Sequence, residues 1–367
     1  MAQSSPPRPR RATVIGAGSF GTAVAVLLTR AGLRTTLQAR DPEHARRLTA
    51  ERQNAAYLPG VELPRELRLA TVEDGVGRAD YVFLAVPSSS FPSVIEALAP
   101  ALGRRTAVVS VAKGLVPPDG LAPTVALGAR FGAERVACLG GPAHAEEMVQ
   151  AGAGLVAASS DENLAGALAA IFIRAGVVCE KSNDPLGVEL AGAAKNAAAL
   201  AAGATEAQGL NAAGAAAGHI FAEVWRFAEM QGARPESMIG LAGTGDLVAT
   251  ALAPRSRNRR AGELLAQGVP AAEIPARIGQ AVEALESVPL LGRALEAAGV
   301  RAPVTVGLGR LISGELPLDA WVSLVRTTLP PSARWRRRLR GRRPARPGAG
   351  WFARLAGWLR RAFGRAR

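Results

Sequence analysis

Lysine is almost absent from this chain. Of 44 basic residues only three are lysine, Lys113, Lys181 and Lys195, so arginine is used nearly wherever a positive charge will serve. A retained lysine then marks a place where a compact, titratable amine is wanted, since a guanidinium does not give up its proton. Cysteine is scarce too. Cys138 and Cys179 sit in apolar, strand-like runs without metal-ligand spacing, which excludes a disulfide framework and a zinc site, leaves no metal in the expected chemistry, and fits a reducing, cytoplasmic compartment. Aromatic residues are 4% of the chain, and no helix-turn-helix, zinc finger or aromatic RNA-binding signature occurs. No apolar run reaches the length of a membrane span, and the opening MAQSSPPRPRR leads into a glycine-punctuated motif where a secretory signal would need an apolar core.

The net charge of +14 belongs to the ends. Residues 331–367 hold thirteen arginines and no acid, and Arg8, Arg10 and Arg11 add three more charges. Between 12 and 330 there remain 28 basic against 30 acidic residues, so the body presents no nucleic-acid-binding surface.

With 367 residues, nearly half of them hydrophobic, the chain can fill two ordinary cores. The short apolar run ATVI (12–15) enters Gly16-Ala17-Gly18-Ser19-Phe20-Gly21 and then TAVAVLLTRAG, a strand, a glycine turn and a helix. In such a turn Gly16 permits the tight bend, Gly18 lets backbone approach a pyrophosphate, Gly21 lets helix and strand close together, and the helix N-terminus faces the anion. A second strand, RTTLQAR, ends at Gln38-Ala39-Arg40-Asp41, where nucleotide preference is read. Arg40 favours NADPH over a solvated loop charge, while Asp41 would suit NADH if the strand ended one residue later.

Buried parallel strands are expected in YVFLAVPSSS (81–90), TAVVSVAKGL (106–115) and RVACLGG (135–141). The second delivers Lys113 to the carboxyl end of the sheet, where a phosphate or nicotinamide would lie, and the third delivers Gly140-Gly141-Pro142 to a close backbone approach. After GAGLVAAS and IFIRAGVVCE the strand signals stop near residue 182. The expected fold is therefore α/β: a doubly wound, Rossmann-type domain over 12–182 after a disordered basic N-terminus (1–11), followed by an all-helical domain over 183–330.

The helical part opens with NDPLGVELAGAAKNAAALAAG, in which Asp184 can cap and Pro185 suits the first turn. Lys195 shares a face with Val188, Ala191, Gly192, Ala198, Ala199 and Ala202. An isolated helical lysine usually snorkels to water. Burial among small side chains would instead lower its pKa and make it a proton donor. Further on, GLAGTGDLVATALAP brings Asp246 ahead of Ser256-Arg257-Asn258, which reads either as a phosphate cradle or as an exposed basic turn.

Taken in order, GAGSFGTAVA, ARDPEHA, NAAYLPGVELP, AVPS, AKGL, GP-x-H-AEE, GVELAGAAKNAAALAAG and GLAGTGDL with SRNRR resemble the bacterial NAD(P)-dependent glycerol-3-phosphate dehydrogenases over roughly residues 12–325. The resemblance implies reduction of dihydroxyacetone phosphate to sn-glycerol 3-phosphate, a cytoplasmic homodimer, and NADPH (or NADH) as cofactor. It implies that Lys195 is the acid/base. The cofactor would meet Gly16, Gly18, Ser19, Phe20, Gly21, Arg40, Lys113, Ala145, Arg257 and Glu283. The substrate would meet Lys113, Gly141, Lys195, Asp246, Ser256, Arg257 and Asn258. Lys181 is expected to be a surface charge.

Departures gather on the substrate side: Ala143 stands for a usual serine or threonine, Gly140 for a usual serine, Ala217-Gly218-His219-Ile220 for Ile-Thr-Arg-Gly, and Ala281-Val282-Glu283-Ala284 for Val-Val-Glu-Gly. They keep open a related dehydrogenase with another small hydroxy or phosphorylated substrate, and a catalytically weak dinucleotide-binding protein. After Pro330-Pro331 an arginine-rich tail runs to the end of the sequence. Within 351–363, Trp351, Phe352, Leu355, Trp358, Leu359 and Phe363 fall on one helical face opposite Arg354 and Arg361. That pattern suits a helix lying on an anionic membrane, a helix docked on protein, or a nonspecific basic tail.

Overall fold

A computed structural model describes residues 10–253 and 256–329. The basic N-terminus up to residue 9 and the arginine-rich tail, including the helix expected over 351–363, lie outside the described residues.

Ten strands form: β1 (Arg11–Ile15), β2 (Arg34–Ala39), β3 (Gln53–Asn54), β4 (Leu58–Glu62), β5 (Arg68–Thr71), β6 (Tyr81–Leu84), β7 (Ala107–Ser110), β8 (Val136–Gly140), β9 (Gly154–Ser159) and β10 (Val178–Ser182). Eight of them make one sheet in the order β10-β9-β8-β7-β6-β1-β2-β5, and β3 with β4 makes a separate antiparallel pair. Helices α1 (Ser19–Arg30), α2 (Pro42–Glu51), α3 (Phe91–Leu98), α4 (Pro123–Phe131), α5 (Ala145–Gln150) and α6 (Glu162–Arg174) alternate with the strands. Beyond Ser182 every regular element is helical: α7 (Pro185–Ala204), α8 (Leu210–Met230), α9 (Pro235–Ile239), α10 (Asp246–Leu252), α11 (Arg257–Ala266), α12 (Ile274–Ile278), α13 (Glu283–Ala297), α14 (Pro303–Ile312) and α15 (Leu318–Thr327). The α/β fold with a helical second part is thus as the sequence predicts.

The central strands are apolar on both faces because helices cover both. In β6, Tyr81 and Phe83 enter the core shared with α1 and α6, while Val82 and Leu84 enter the core shared with α3 and α4. Three details differ from expectation. Strand β1 begins at Arg11, inside the segment expected to be disordered, because its backbone N–H donates to Asp80 at 2.7 Å. Strand β9 runs antiparallel to β8, since the connection through the short α5 folds back beside it without a full crossover. No strand is expected between 53 and 71, yet β5 extends the sheet beyond β2.

In the helical part α7 is surrounded by α8, α10, α11 and α13, and 17 of its 20 residues are buried. A helix that is apolar all round is the one that a bundle encloses. Its contact with α11 is close because a Cβ on Gly203 would stand 2.0 Å from the Arg259 carbonyl oxygen, and one on Gly262 would stand 2.0 Å from that of Leu200. Among the described residues no helix is long and apolar enough to cross a membrane.

Candidate active site

The glycine turn lies between β1 and β6, where the strand order reverses and a crevice opens at the carboxyl ends of the strands. Gly16 has φ +110°, and a Cβ there would meet the Ala85 carbonyl oxygen at 2.4 Å; one on Gly21 would meet the Gly16 carbonyl oxygen at 2.0 Å. A Cβ on Gly18 would meet nothing within 4 Å. Gly18 caps α1, whose first turn contains Ser19 and Phe20, no acid, and no side-chain cap. Open space in front of uncapped helical N–H groups fits the pyrophosphate of a dinucleotide. Asn54, buried in β3, braces this turn by donating to the Ala17 carbonyl at 2.9 Å and to Thr22 Oγ1 at 2.8 Å. The NAAYLPGVELP segment contains Asn54, but nothing in its pattern marks that role.

Strand β2 ends at Ala39, leaving Arg40 exposed. Asp41 caps α2, accepting from the backbone N–H groups of Glu43 and His44 at 2.9 and 3.3 Å. Its carboxylate is therefore committed to the helix.

Two lysines converge on one carboxylate. Lys113, in the connection after β7, donates from Nζ to Asp246 Oδ2 at 2.5 Å and to the Gly141 carbonyl at 3.1 Å. Lys195, from the middle of α7, places Nζ 3.5 Å from Asp246 Oδ1 and donates to Thr250 Oγ1 at 3.2 Å. Thr250 in turn approaches Asp246 Oδ1 at 3.4 Å. Lys195 is 7% exposed and Asp246 3%, so the cluster lies away from bulk water. Asp246 follows a five-residue turn, Leu241–Gly245, closed by the Gly245 N–H on the Gly240 carbonyl at 3.0 Å. This is a π turn, and Gly243 must be glycine because a Cβ there would lie 1.9 Å from the Met238 carbonyl oxygen.

Burial pulls Lys195 down from 10.5 to about 8, the charge on Lys113 lowers it further, and Asp246 opposes both. For Asp246 burial acts upward, but the charges of Lys113 and Lys195 and their hydrogen bonds outweigh it and hold the carboxyl below its ordinary value. Glu283, at the start of α13, is raised by burial, against the backbone N–H of Lys113 and the positive charges around it. Glu283 stands beside the Lys113 turn: a Cβ on Gly114 would meet its Oε1 at 2.9 Å and Ser88 Oγ at 2.4 Å.

The remaining expected residues gather more loosely. Asn258 donates from Nδ2 to Asn196 Oδ1 at 2.8 Å, and Asn196 donates to the Lys113 carbonyl at 3.2 Å. Arg257 is exposed and donates to the Ala281 carbonyl at 3.1 Å, while Ser256 is buried as the cap of α11. Gly141, at φ +103°, turns its carbonyl to Lys113. Ala145 opens α5, which packs on α1, and has no side-chain bond to offer the cluster. Lys181 is exposed at the end of β10. Thr250 and Asn196 escape the sequence reading. The four-residue spacing from Asp246 to Thr250 would have put both on one helical face.

A two-layered dinucleotide fold with a buried, titratable lysine at the strand ends defines an oxidoreductase of the nicotinamide-dependent class. Residues 11–165 match the NAD-dependent glycerol-3-phosphate dehydrogenase N-terminus and residues 184–323 match the C-terminus of the same family, so the chain belongs to that family. A glycerol-3-phosphate dehydrogenase [NAD(P)+] of Deinococcus radiodurans is 40% identical over 309 residues, covering 82% of this chain and 90% of the relative. Its counterpart in Leifsonia xyli is 34% identical over 364 residues, 96% of this chain and 97% of the relative, a span that takes in part of the arginine-rich tail. The crystal structure of glycerol-3-phosphate dehydrogenase from Coxiella burnetii superposes with a TM-score of 0.79 at 28% identity, covering 88% of this chain and 100% of that one. A ketopantoate reductase from Ralstonia eutropha shares the fold at a TM-score of 0.56 and 21% identity, covering 85% of this chain and 99% of that one.

Proposed function

We propose that this chain reduces dihydroxyacetone phosphate to sn-glycerol 3-phosphate for phospholipid synthesis, with Lys195 as the acid/base residue. The observation that supports the reading most is Asp246, one carboxylate shared by two of the three lysines the chain possesses. A bound reduced nicotinamide supplies hydride to the carbonyl carbon. Negative charge then builds on the carbonyl oxygen, where Lys195 stabilises it and delivers a proton; an amine titrating near 8 can both hold and release that proton near neutrality. Asp246 keeps the two ammonium groups together in a buried place where their repulsion would otherwise separate them. Lys113, Gly141, Ser256, Arg257 and Asn258 hold the phosphorylated substrate, with arginine supplying paired donors to phosphate oxygens. Gly16, Gly18, Ser19, Phe20, Gly21, Ala145 and Glu283 face the cofactor.

NADPH is the favoured nucleotide in this reading, because Arg40 is exposed at the end of β2 while Asp41 is spent on capping α2. Steady-state oxidation of NADPH and NADH with dihydroxyacetone phosphate, run beside Lys195→Ala and Arg40→Ser, tests both parts. Turnover that survives loss of Lys195 sinks the mechanism, and an unchanged nucleotide ratio in Arg40→Ser sinks the preference. A related phosphorylated or hydroxy substrate is the second reading, favoured by the missing hydroxyl at Ala143. Gly140 carries less weight, since a Cβ there would crowd Val188 Cγ1 at 2.6 Å, and its small size is explained by packing on α7. The proposal includes a homodimer, checked by sedimentation, and contact of the tail with anionic membrane, which rests on sequence alone. Equal liposome binding by the full chain and by a chain ending at 330 would remove the membrane contact.

A further inference from the structure

The residues between β7 and α4 carry Lys113 to the site, and the long helix α7 grips them at two points. At one end Asn196 donates to the Lys113 carbonyl at 3.2 Å. At the other, Glu189 accepts from the Thr124 backbone N–H at 3.1 and 3.0 Å and from Thr124 Oγ1 at 2.6 Å. Thr124 lies in the first turn of α4, which has Pro123 ahead of it and, at Ala122, no side chain able to cap. Glu189 therefore does for α4, from 65 residues away, what a local cap would ordinarily do.

Glu189 and Asn196 are seven residues apart, two turns of helix, and so stand on one face of α7. Between their two attachment points the connection is short-circuited: Val116 and Leu121 exchange backbone hydrogen bonds at 2.8 and 3.2 Å. Only two residues separate Lys113 from Val116, and two separate Leu121 from Thr124. Movement at Thr124 is thus passed to Lys113 through a closed loop with little slack.

We propose that Glu189 is a positioning residue for the reaction: by holding the start of α4 on α7 it fixes the height at which Lys113 meets Asp246 opposite Lys195. The inference rests on the roles given above to Lys113 and Lys195. Glu189 touches neither substrate nor cofactor. It acts through the backbone that presents Lys113, and small displacements of such a group are costly to rate.

The test is a double-mutant cycle on the full chain, reading kcat/KM for dihydroxyacetone phosphate together with thermal stability. Glu189→Met keeps length and volume but removes both acceptors; Glu189→Gln keeps one for the Thr124 N–H. Glu189→Met is expected to lower kcat/KM about tenfold beside a native Lys113 and less than about twofold beside Lys113→Ala. Glu189→Gln should recover most of the loss. Thr124→Val, which removes only the hydroxyl, carries the same cycle if Glu189→Met does not fold. Equal losses in both backgrounds, or a lowered melting temperature at unchanged kcat/KM, would overturn the proposal while leaving the catalytic reading intact. A Lys113→Ala variant as active as the parent would overturn both.

Discussion

Two ends of one helix make an instructive pair. On α7, Lys195 is drawn down from 10.5 and Glu189 is driven up from 4.5, and both arrive at about 8 with burial as the leading cause. Desolvation penalises a charge of either sign, so an amine and a carboxyl in the same apolar helix approach each other's range. Their company separates them. Lys195 faces another lysine and a carboxylate, an arrangement that changes energy whenever a proton or an anion arrives. Glu189 faces a helix N-terminus and a hydroxyl, all its acceptor capacity directed at one turn of α4. Equal burial and nearly equal titration do not make equal roles; the neighbours do.

The widest gap between the two should appear in rate. Lys195→Ala is expected to lower kcat by about a thousandfold, since proton transfer and charge stabilisation at the oxygen are lost together. That is well beyond the loss assigned to Glu189→Met. Comparable losses in single-turnover assays would erase the distinction between the two ends.

Next comes Asp246→Asn. It removes the carboxylate that raises Lys195 and leaves Lys113, which lowers it, so the pH above which the reduction rate falls should move below about 8. A pH profile of kcat/KM reads this directly. A midpoint that does not move would mean that Lys195 is not the group being titrated.

Stability against pH should show opposite slopes for the two ends. The Glu189 carboxyl binds its proton more tightly folded than unfolded, so its contribution falls with rising pH between 4.5 and about 8. Lys195 binds its proton less tightly folded, so its contribution rises between about 8 and 10.5. Urea melts across this range should lose the first slope in Glu189→Gln and the second in Lys195→Met.

The smallest effect on rate belongs to a second buried glutamate. Glu223 on α8 accepts from the backbone N–H groups of Val304 and Thr305 at 3.1 and 2.8 Å and from Thr305 Oγ1 at 2.6 Å, clasping the start of α14 as Glu189 clasps α4. No lysine of the cluster hangs from α14. Glu223→Met is expected to cost about 2 kcal/mol in denaturant melts by leaving buried N–H groups unpaired, with kcat unchanged. A parallel fall in kcat would show that clasps of this kind act on the site generally and not through Lys113.

The sequence made some of this plain and hid the rest for physical reasons. Gly16, Gly18 and Gly21 are legible because each answers a steric demand that no other residue meets, and Lys195 is legible because a lone lysine in an apolar helix contradicts its surroundings. Glu189 and Glu223 sit in similarly apolar helices, but their partners are backbone N–H groups 65 and 81 residues away, and a backbone group leaves no trace in composition. Thr250 hides within the run ATALAP, where a hydroxyl looks like helix filler. The reversal of β9 was illegible since a buried strand reads the same in either direction.

The π turn before Asp246 sets a helical phase. Each residue of a helix advances about 100° around its axis, so deleting any one residue from Leu241–Gly245 would turn the chain into an ordinary helix and swing Asp246 by roughly that angle. The carboxylate would then face away from both lysines. In this segment length is as strict a requirement as side-chain identity, and an enzyme lost to a single-codon deletion there would keep every residue of its site.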